Sequence, residues 1–350
     1  MLRFSQFLKE ELLDESAKGQ QGAASNSKGV AYETGLTAAL NHNGKHPELH
    51  KDEHGMSPAE AHSHHSSNIH PDIHKQVKDS MSPSVEAIRN HLEKHHNIPK
   101  KDKLHTFWTS KPGQVSRVTG KAKDSENPGD LVVHHPKSGK HVSISAKFGE
   151  KPGLRSPGLS DLHHMAGKTL DHKKVESNRN ELIKLGGKHV QGESQAARNK
   201  SFREAERDPK KSKTVSAIND KSKEHRASYA KTLASGMNKR SAEDKHGIVK
   251  KLLNADEHAT PVIKVHYDTK KGKAHVSDPV SEFKKIKSKS KDYHFEHRGA
   301  YIHVHAVDKK GEKHHIASIG IKNNSSPMTH TVGSVSHGKH YHSYSEAKHD

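Results

Sequence analysis

The sequence predicts an α+β protein with long polar insertions and disordered termini. Three observations lead to it. Residues 301–307 (YIHVHAV) and 315–321 (HIASIGI) alternate with the period of a half-buried strand. Val85, Ile88 and Leu92, and later Ile248, Leu252 and Leu253, are spaced for one face of a helix. Apolar residues make up 29% of the 350 and aromatic residues 4%, too few to pack the whole chain into a core.

The elements follow in order. Residues 1–15 set Phe4, Phe7, Leu8 and Leu12 on one stripe of a short amphipathic helix, and a Gly-, Ser-, Gln- and Asn-rich linker completes residues 1–28. A narrow stripe on a flexible tether reads as a docking peptide. The next helix is expected over 29–41; it carries Glu33, is weakened by Gly35 and is ended by Asn41 to Gly44. Residues 45–82 show little periodicity and are read as loop with a short helix at 58–65. Ser84 is expected to cap a helix through His96 that bears Glu86 and Glu93. Leu104 to Ser110 form the first strand and hold the single tryptophan, Trp108, read as a core residue. A turn-rich connection follows, in which Lys111, Arg117, Lys121 and Lys123 are candidates to grip nucleic-acid phosphates.

Residues 127–147 form the clearest unit. Asp130 opens the run Leu131, Val132, Val133; a Pro-Lys-Ser-Gly-Lys turn reverses the chain; Val142, Ile144 and Ala146 lead to Lys147. In such a hairpin Asp130 and Lys147 lie at the same end, because one strand starts where its partner finishes. A core is expected over 29–165, the extent of the resemblance given below, followed by a polar helical region over 166–258 with its best helices at 216–235 and 242–255. A β-rich region over 259–335 would complete or extend the sheet, and 336–350 is expected to be a mobile tail.

The net charge of +19, with 60 Lys and Arg, points to a polyanionic partner, with double-stranded DNA the default. No apolar run approaches the length of a membrane span, so a membrane partner is not expected. The absence of cysteine excludes disulfides and thiolate metal sites. The 36 histidines often come in pairs, with no HExxH helix, and are read as surface residues titrating near their ordinary pKa of about 6.5.

A carboxylate and an ammonium on paired strands suit metal-dependent phosphodiester cleavage: the acid holds a hard divalent cation, and the lysine orients water and offsets charge on the phosphorane-like transition state. At this hairpin, Asn127-Pro128-Gly129-Asp130 and Ser145-Ala146-Lys147 resemble the signature of the PD-(D/E)xK nuclease superfamily, with one extra residue before Asp130 and Ser145 where the family places an acid. The resemblance implies an α/β nuclease-like core with a mixed central sheet flanked by helices, and Mg²⁺ or Mn²⁺ as cofactor. It further implies Asp130 and Glu33 as metal ligands assisted by the Ala146 carbonyl, and Lys147, Asp130, Glu33 and Ser145 as catalytic positions; Glu86 and Glu93 are rivals for the place of Glu33. From Trp108 to Lys147 the chain also resembles head-associated proteins of T-even-like marine myophages, over about residues 29–165. Residues 1–15, ending Leu13-Asp14-Glu15, resemble the capsid-targeting peptides of those phages. That likeness implies a prohead scaffold and protease as partners, and residence in the phage head, with host cytoplasm before packaging and after ejection. Three functions compete: a packaged metal-dependent DNA endonuclease, a non-enzymatic basic head protein that neutralises DNA, and a toxin acting on RNA.

Overall fold

The computed structural model describes residues 20–41, 58–67, 69–109, 129–149, 157–258, 260–324 and 326–345. The chain divides into two units, one of residues up to Pro152 with Glu257–Pro279, the other of Gly153–Asp256 with Val280–Asp350. The fold is α+β with a mixed central sheet, as expected. No helix among the described residues is long and apolar enough to cross a membrane.

The first unit opens with α1 (Gln20–Leu40), α2 (Pro58–Ser66) and α3 (Pro71–His96). Tyr32, Leu36 and Leu40, four residues apart, form the buried stripe of α1. That helix begins at Gln20, inside the stretch expected to be linker; glutamine and alanine propagate the helix backward despite Gly22 and Gly29. Gly35 has a packing role, since a Cβ there would lie 2.9 Å from both the His62 ring and the Met81 sulfur.

Helix α3 corrects another expectation. Ser84 is not its cap: the helix starts after His70, whose ring accepts from the Asp72 N–H, and runs through Pro83. Burial of Val77, Ile88 and Leu92 outweighs the interior proline, which ordinarily breaks a helix at a cost of about 3 kcal/mol. The Ser84 hydroxyl instead meets the buried Tyr32 hydroxyl at 2.8 Å.

The sheet of this unit runs β1 (His105–Trp108), β2 (Leu131–His135), β3 (Lys140–Phe148), β4 (Val262–Asp268), β5 (Lys273–Ser277) in spatial order. All neighbours are antiparallel except β3 and β4. Leu131, Val133, Val142, Ile144 and Ala146 bury one face against the stripes of α1 and α3.

The second unit contains α4 (Leu159–Met165), α5 (His172–Gly186), α6 (Gln195–Glu206), α7 (Ser212–Asn238), α8 (Ala242–Leu252) and α9 (Pro279–Lys289). Its antiparallel sheet is ordered β10 (Ser336–His337), β8 (Lys313–Asn324), β7 (Tyr301–Asp308), β6 (Ser290–Arg298), with β9 (Ser326–Val332) paired to β8. Ile302, Val304, Ile316 and Ile319 pack with Leu233, Met237 and Leu252 in its core. The β-rich region over 259–335 is thus shared: β4 and β5 complete the first sheet, while β6 to β10 make a separate one. Residues 336–345, expected as mobile tail, pack through α10 (Tyr341–Ser345); Tyr341 is buried, stacks on His337 at 3.7 Å and donates to Glu282 at 2.7 Å.

Candidate active site

Strand pairing builds the site. The Asp130 N–H donates to the Ile144 carbonyl at 2.8 Å, which sets Asp130 just beyond Leu131–Ile144, the last pair of the β2–β3 ladder. Alternation turns Ser145 and Lys147 away from the core face formed by Ile144 and Ala146, onto the face that Asp130 shares. Because β2 starts only at Leu131, the Ala146 N–H meets no backbone partner there. The Asp130 carboxylate takes that place: its Oδ2 accepts from Ala146 N at 2.7 Å, Lys147 Nζ at 3.1 Å and Ser145 Oγ at 3.2 Å. Strand alternation turns the Ala146 carbonyl to the same side as its N–H. Gly129 permits the approach, since a Cβ there would lie 2.8 Å from the Ser143 Cβ.

Glu33 comes to this cluster from α1. Its Oε2 accepts from Trp108 Nε1 at 3.3 Å. Burial pushes its carboxyl up to about 8, reinforced by the charge of Asp130 and opposed by Lys147 and the Trp108 N–H. The rival acids stay out: Glu86 is exposed, and Glu93 pairs with Lys100 at 3.7 Å. The sequence-predicted Glu33, Asp130, Ser145, Ala146 and Lys147 therefore belong to one cluster. Lys111, Arg117, Lys121 and Lys123, and the peptide at 1–15, lie outside the described residues.

Sequence reasoning missed the part played by Trp108. It is half-buried, its N–H is spent on Glu33 and its ring meets His65 edge-on at 5.6 Å.

The remaining oxygens decide what the cluster can hold. Asp130 engages its donors through Oδ2 and Glu33 engages Trp108 through Oε2, which leaves one oxygen on each without a partner among the described residues. Together with the Ala146 carbonyl this is an all-oxygen set suited to Mg²⁺ or Mn²⁺, with water completing the shell. Ser145 contributes a hydroxyl committed to Asp130 in place of a third charge.

The turn end of the same hairpin carries a second acid–base group. Asp102 Oδ2 lies 3.1 Å from His135 Nε2, His135 Nδ1 lies 2.7 Å from Ser138 Oγ, and Lys137 Nζ donates to Asp102 Oδ1 at 2.8 Å. The bond from Lys137, with that of His135, holds the Asp102 carboxyl below its usual range against the effect of burial. Aspartate, histidine and serine in line resemble an acyl-transfer triad, but the Ser138 and Gly139 N–H groups both donate to the His135 carbonyl and the Lys140 N–H is directed at Ser138 Oγ itself. The turn therefore leaves none of these N–H groups free to hold an oxyanion, and the chain of bonds pins the turn.

The histidines depart from their expected role. Burial lowers His91, His305 and His330 to about 4, and it also lowers His62, His134, His266 and His315. His134 stacks on His141 at 4.5 Å, so imidazoles fill places that scarce phenyl rings would otherwise take. Among the described residues, one group of three metal-ligating types converges: Asp308, Glu312 and His314, with ligand atoms within 4.8 Å of one another. Asp308 accepts from the Lys310 and Glu312 N–H groups and so serves the β7–β8 turn.

Compared with known proteins, the chain matches no family model, no curated protein and no solved structure.

Proposed function

We propose that the protein is a metal-dependent phosphodiesterase of DNA-endonuclease type, acting through Glu33, Asp130 and Lys147. The observation that supports this reading most is the 3.1 Å pair of Lys147 and Asp130 at the end of the ladder, with Glu33 electrostatically coupled to both. Asp130, Glu33 and the Ala146 carbonyl would hold Mg²⁺ or Mn²⁺. A divalent cation so held supplies Lewis acidity toward a scissile phosphate. Asp130 fixes the Lys147 ammonium, which orients water and offsets charge gathered on the phosphoryl oxygens. Ser145 holds the Asp130 carboxylate, and the Trp108 N–H holds Glu33. Glu33 must give up its proton before it can ligate, which ties activity to pH. The net charge of +19 suits double-stranded DNA as substrate. Leu13-Asp14-Glu15 suits packaging in a phage head after cleavage by a prohead protease.

A plasmid-nicking assay with Mg²⁺ and Mn²⁺, run beside Lys147→Ala, tests the reading. Nicking by the wild type that EDTA stops and the variant lacks is the expected result; equal nicking by both would refute it. A second reading, a non-enzymatic head protein that neutralises packaged DNA, is favoured by Ser145 at the position of an acid. It predicts DNA binding in full and no nicking by either chain.

A further inference from the structure

Within the second unit, a cavity of about 200 Å³ lies among α4, α5, α7 and the β8–β9 hairpin. Its apolar lining is Leu159, Val175 and Met328, and its polar lining is Asn178, Arg179, Tyr229, Asn324, Thr329 and His330. Val175, Asn178 and Arg179 stand three and four apart on α5, so one helix face brings an apolar residue, an amide and a guanidinium to the same opening.

Two of these polar groups have a donor to spare. Arg179 Nε is buried without a hydrogen-bond partner. Asn178 Nδ2 donates to the Tyr229 hydroxyl at 2.9 Å, so the tyrosine oxygen is the acceptor there and its own hydrogen remains to be given. Among the described residues, no Asp or Glu lines the cavity. A buried Nε–H without a partner is unfavourable, and a bound anion would relieve it through a charge-assisted hydrogen bond. The volume is below that of drug-sized pockets, roughly 300–1,000 Å³, which restricts the ligand to a charged group with a body no larger than about one ring.

We propose that this cavity binds a small monocarboxylate, its carboxylate on Arg179 and the Tyr229 hydroxyl and its short apolar body against Leu159, Val175 and Met328. The site is separate from the Glu33–Asp130–Lys147 cluster and stands whether or not that cluster is catalytic.

Calorimetric titration of the full-length protein with sodium benzoate tests it, with benzamide as the neutral isostere. Benzoate should bind, benzamide should bind at least roughly tenfold more weakly, and Arg179→Gln should lose roughly tenfold or more of the benzoate affinity. Val175→Phe fills the apolar wall, leaves the charge in place and should also abolish binding; it decides the matter if Arg179→Gln fails to fold. Absence of benzoate binding at millimolar concentration, equal affinity for benzamide, or unchanged affinity in a folded variant would overturn the proposal.

Discussion

The two ends of the β2–β3 hairpin are made of similar groups and arranged to opposite effect. At the turn, Asp102 is bonded through both oxygens, to His135 and Lys137, and its carboxyl is held below the usual range. At the open end, Asp130 bonds its neighbours through Oδ2, Glu33 bonds Trp108 through Oε2, and Glu33 is pushed up to about 8. A saturated carboxylate surrounded by donors stabilises the fold. At the open end one ammonium, that of Lys147, stands against two acids, and a further cation would relieve the repulsion that helps push Glu33 up.

The comparison can be broken most directly by exchanging one oxygen for nitrogen at each end. Asp130→Asn should reduce metal-dependent nicking by roughly 10²–10³-fold, whereas Asp102→Asn should leave it unchanged at temperatures where the variant is folded. If Asp102→Asn proved the more damaging in the nicking assay, the two ends would have been assigned the wrong way round.

Proton release sharpens it further. Below about 8 Glu33 is protonated in the metal-free protein, so the apparent affinity for Mg²⁺ should rise about tenfold per pH unit toward that value and then level off. Glu33→Gln should flatten that slope, and titration by calorimetry in buffers of different ionisation enthalpy would count the proton directly.

Ser145→Asp offers the third acid that the site lacks, and should strengthen Mg²⁺ binding by about tenfold while raising the pKa of Glu33 further. Weaker metal binding in this variant would mean that the hydroxyl's bond to Asp130 matters more than added charge.

Stability should separate the ends by sign. The raised Glu33 binds a proton that the unfolded chain has lost, so it destabilises the fold increasingly as pH rises from about 4.5 to about 8. Glu33→Gln should therefore raise Tm relative to wild type most at pH 8 and by nothing at pH 4. The depressed Asp102 contributes stability above its unfolded value of 3.8 that is lost as pH falls below it, so Asp102→Asn should lower Tm at neutral pH and converge with wild type in strong acid. Both comparisons are differences from wild type, which removes the general loss expected between pH 6.5 and 4, where histidines held down by burial must take up protons.

The hairpin was legible because its signals are local: two alternating runs, a Pro-Lys-Ser-Gly turn, and a strand pairing that puts Asp130 and Lys147 at one end. Glu33 rested on the family resemblance, which puts an acid on a helix before the sheet, and the sequence did not separate it from Glu86 and Glu93. Less could be read where tertiary packing prevailed over local rules. Pro83 marks a helix boundary in sequence, yet α3 passes through it because Val77 on one side and Ile88 on the other belong to the same buried stripe. Strands from 262 and from 293 have the same alternation, and nothing within five to nine residues states which sheet they join. Trp108 read as bulk for the core, since an indole N–H aimed at a carboxylate has no sequence signature.

The parallel pairing of β3 with β4 bears on how the chain is made. β3 ends at Phe148 and β4 begins at Val262, so during synthesis the first three strands leave the ribosome long before the fourth. Until then β3 presents an unpaired edge beside an apolar face, the kind of template on which nascent chains associate wrongly. Closing the sheet across that separation is slow by its topology. The protein is therefore expected to mature post-translationally, with a dependence on chaperones that a chain ending before Val262 could never satisfy.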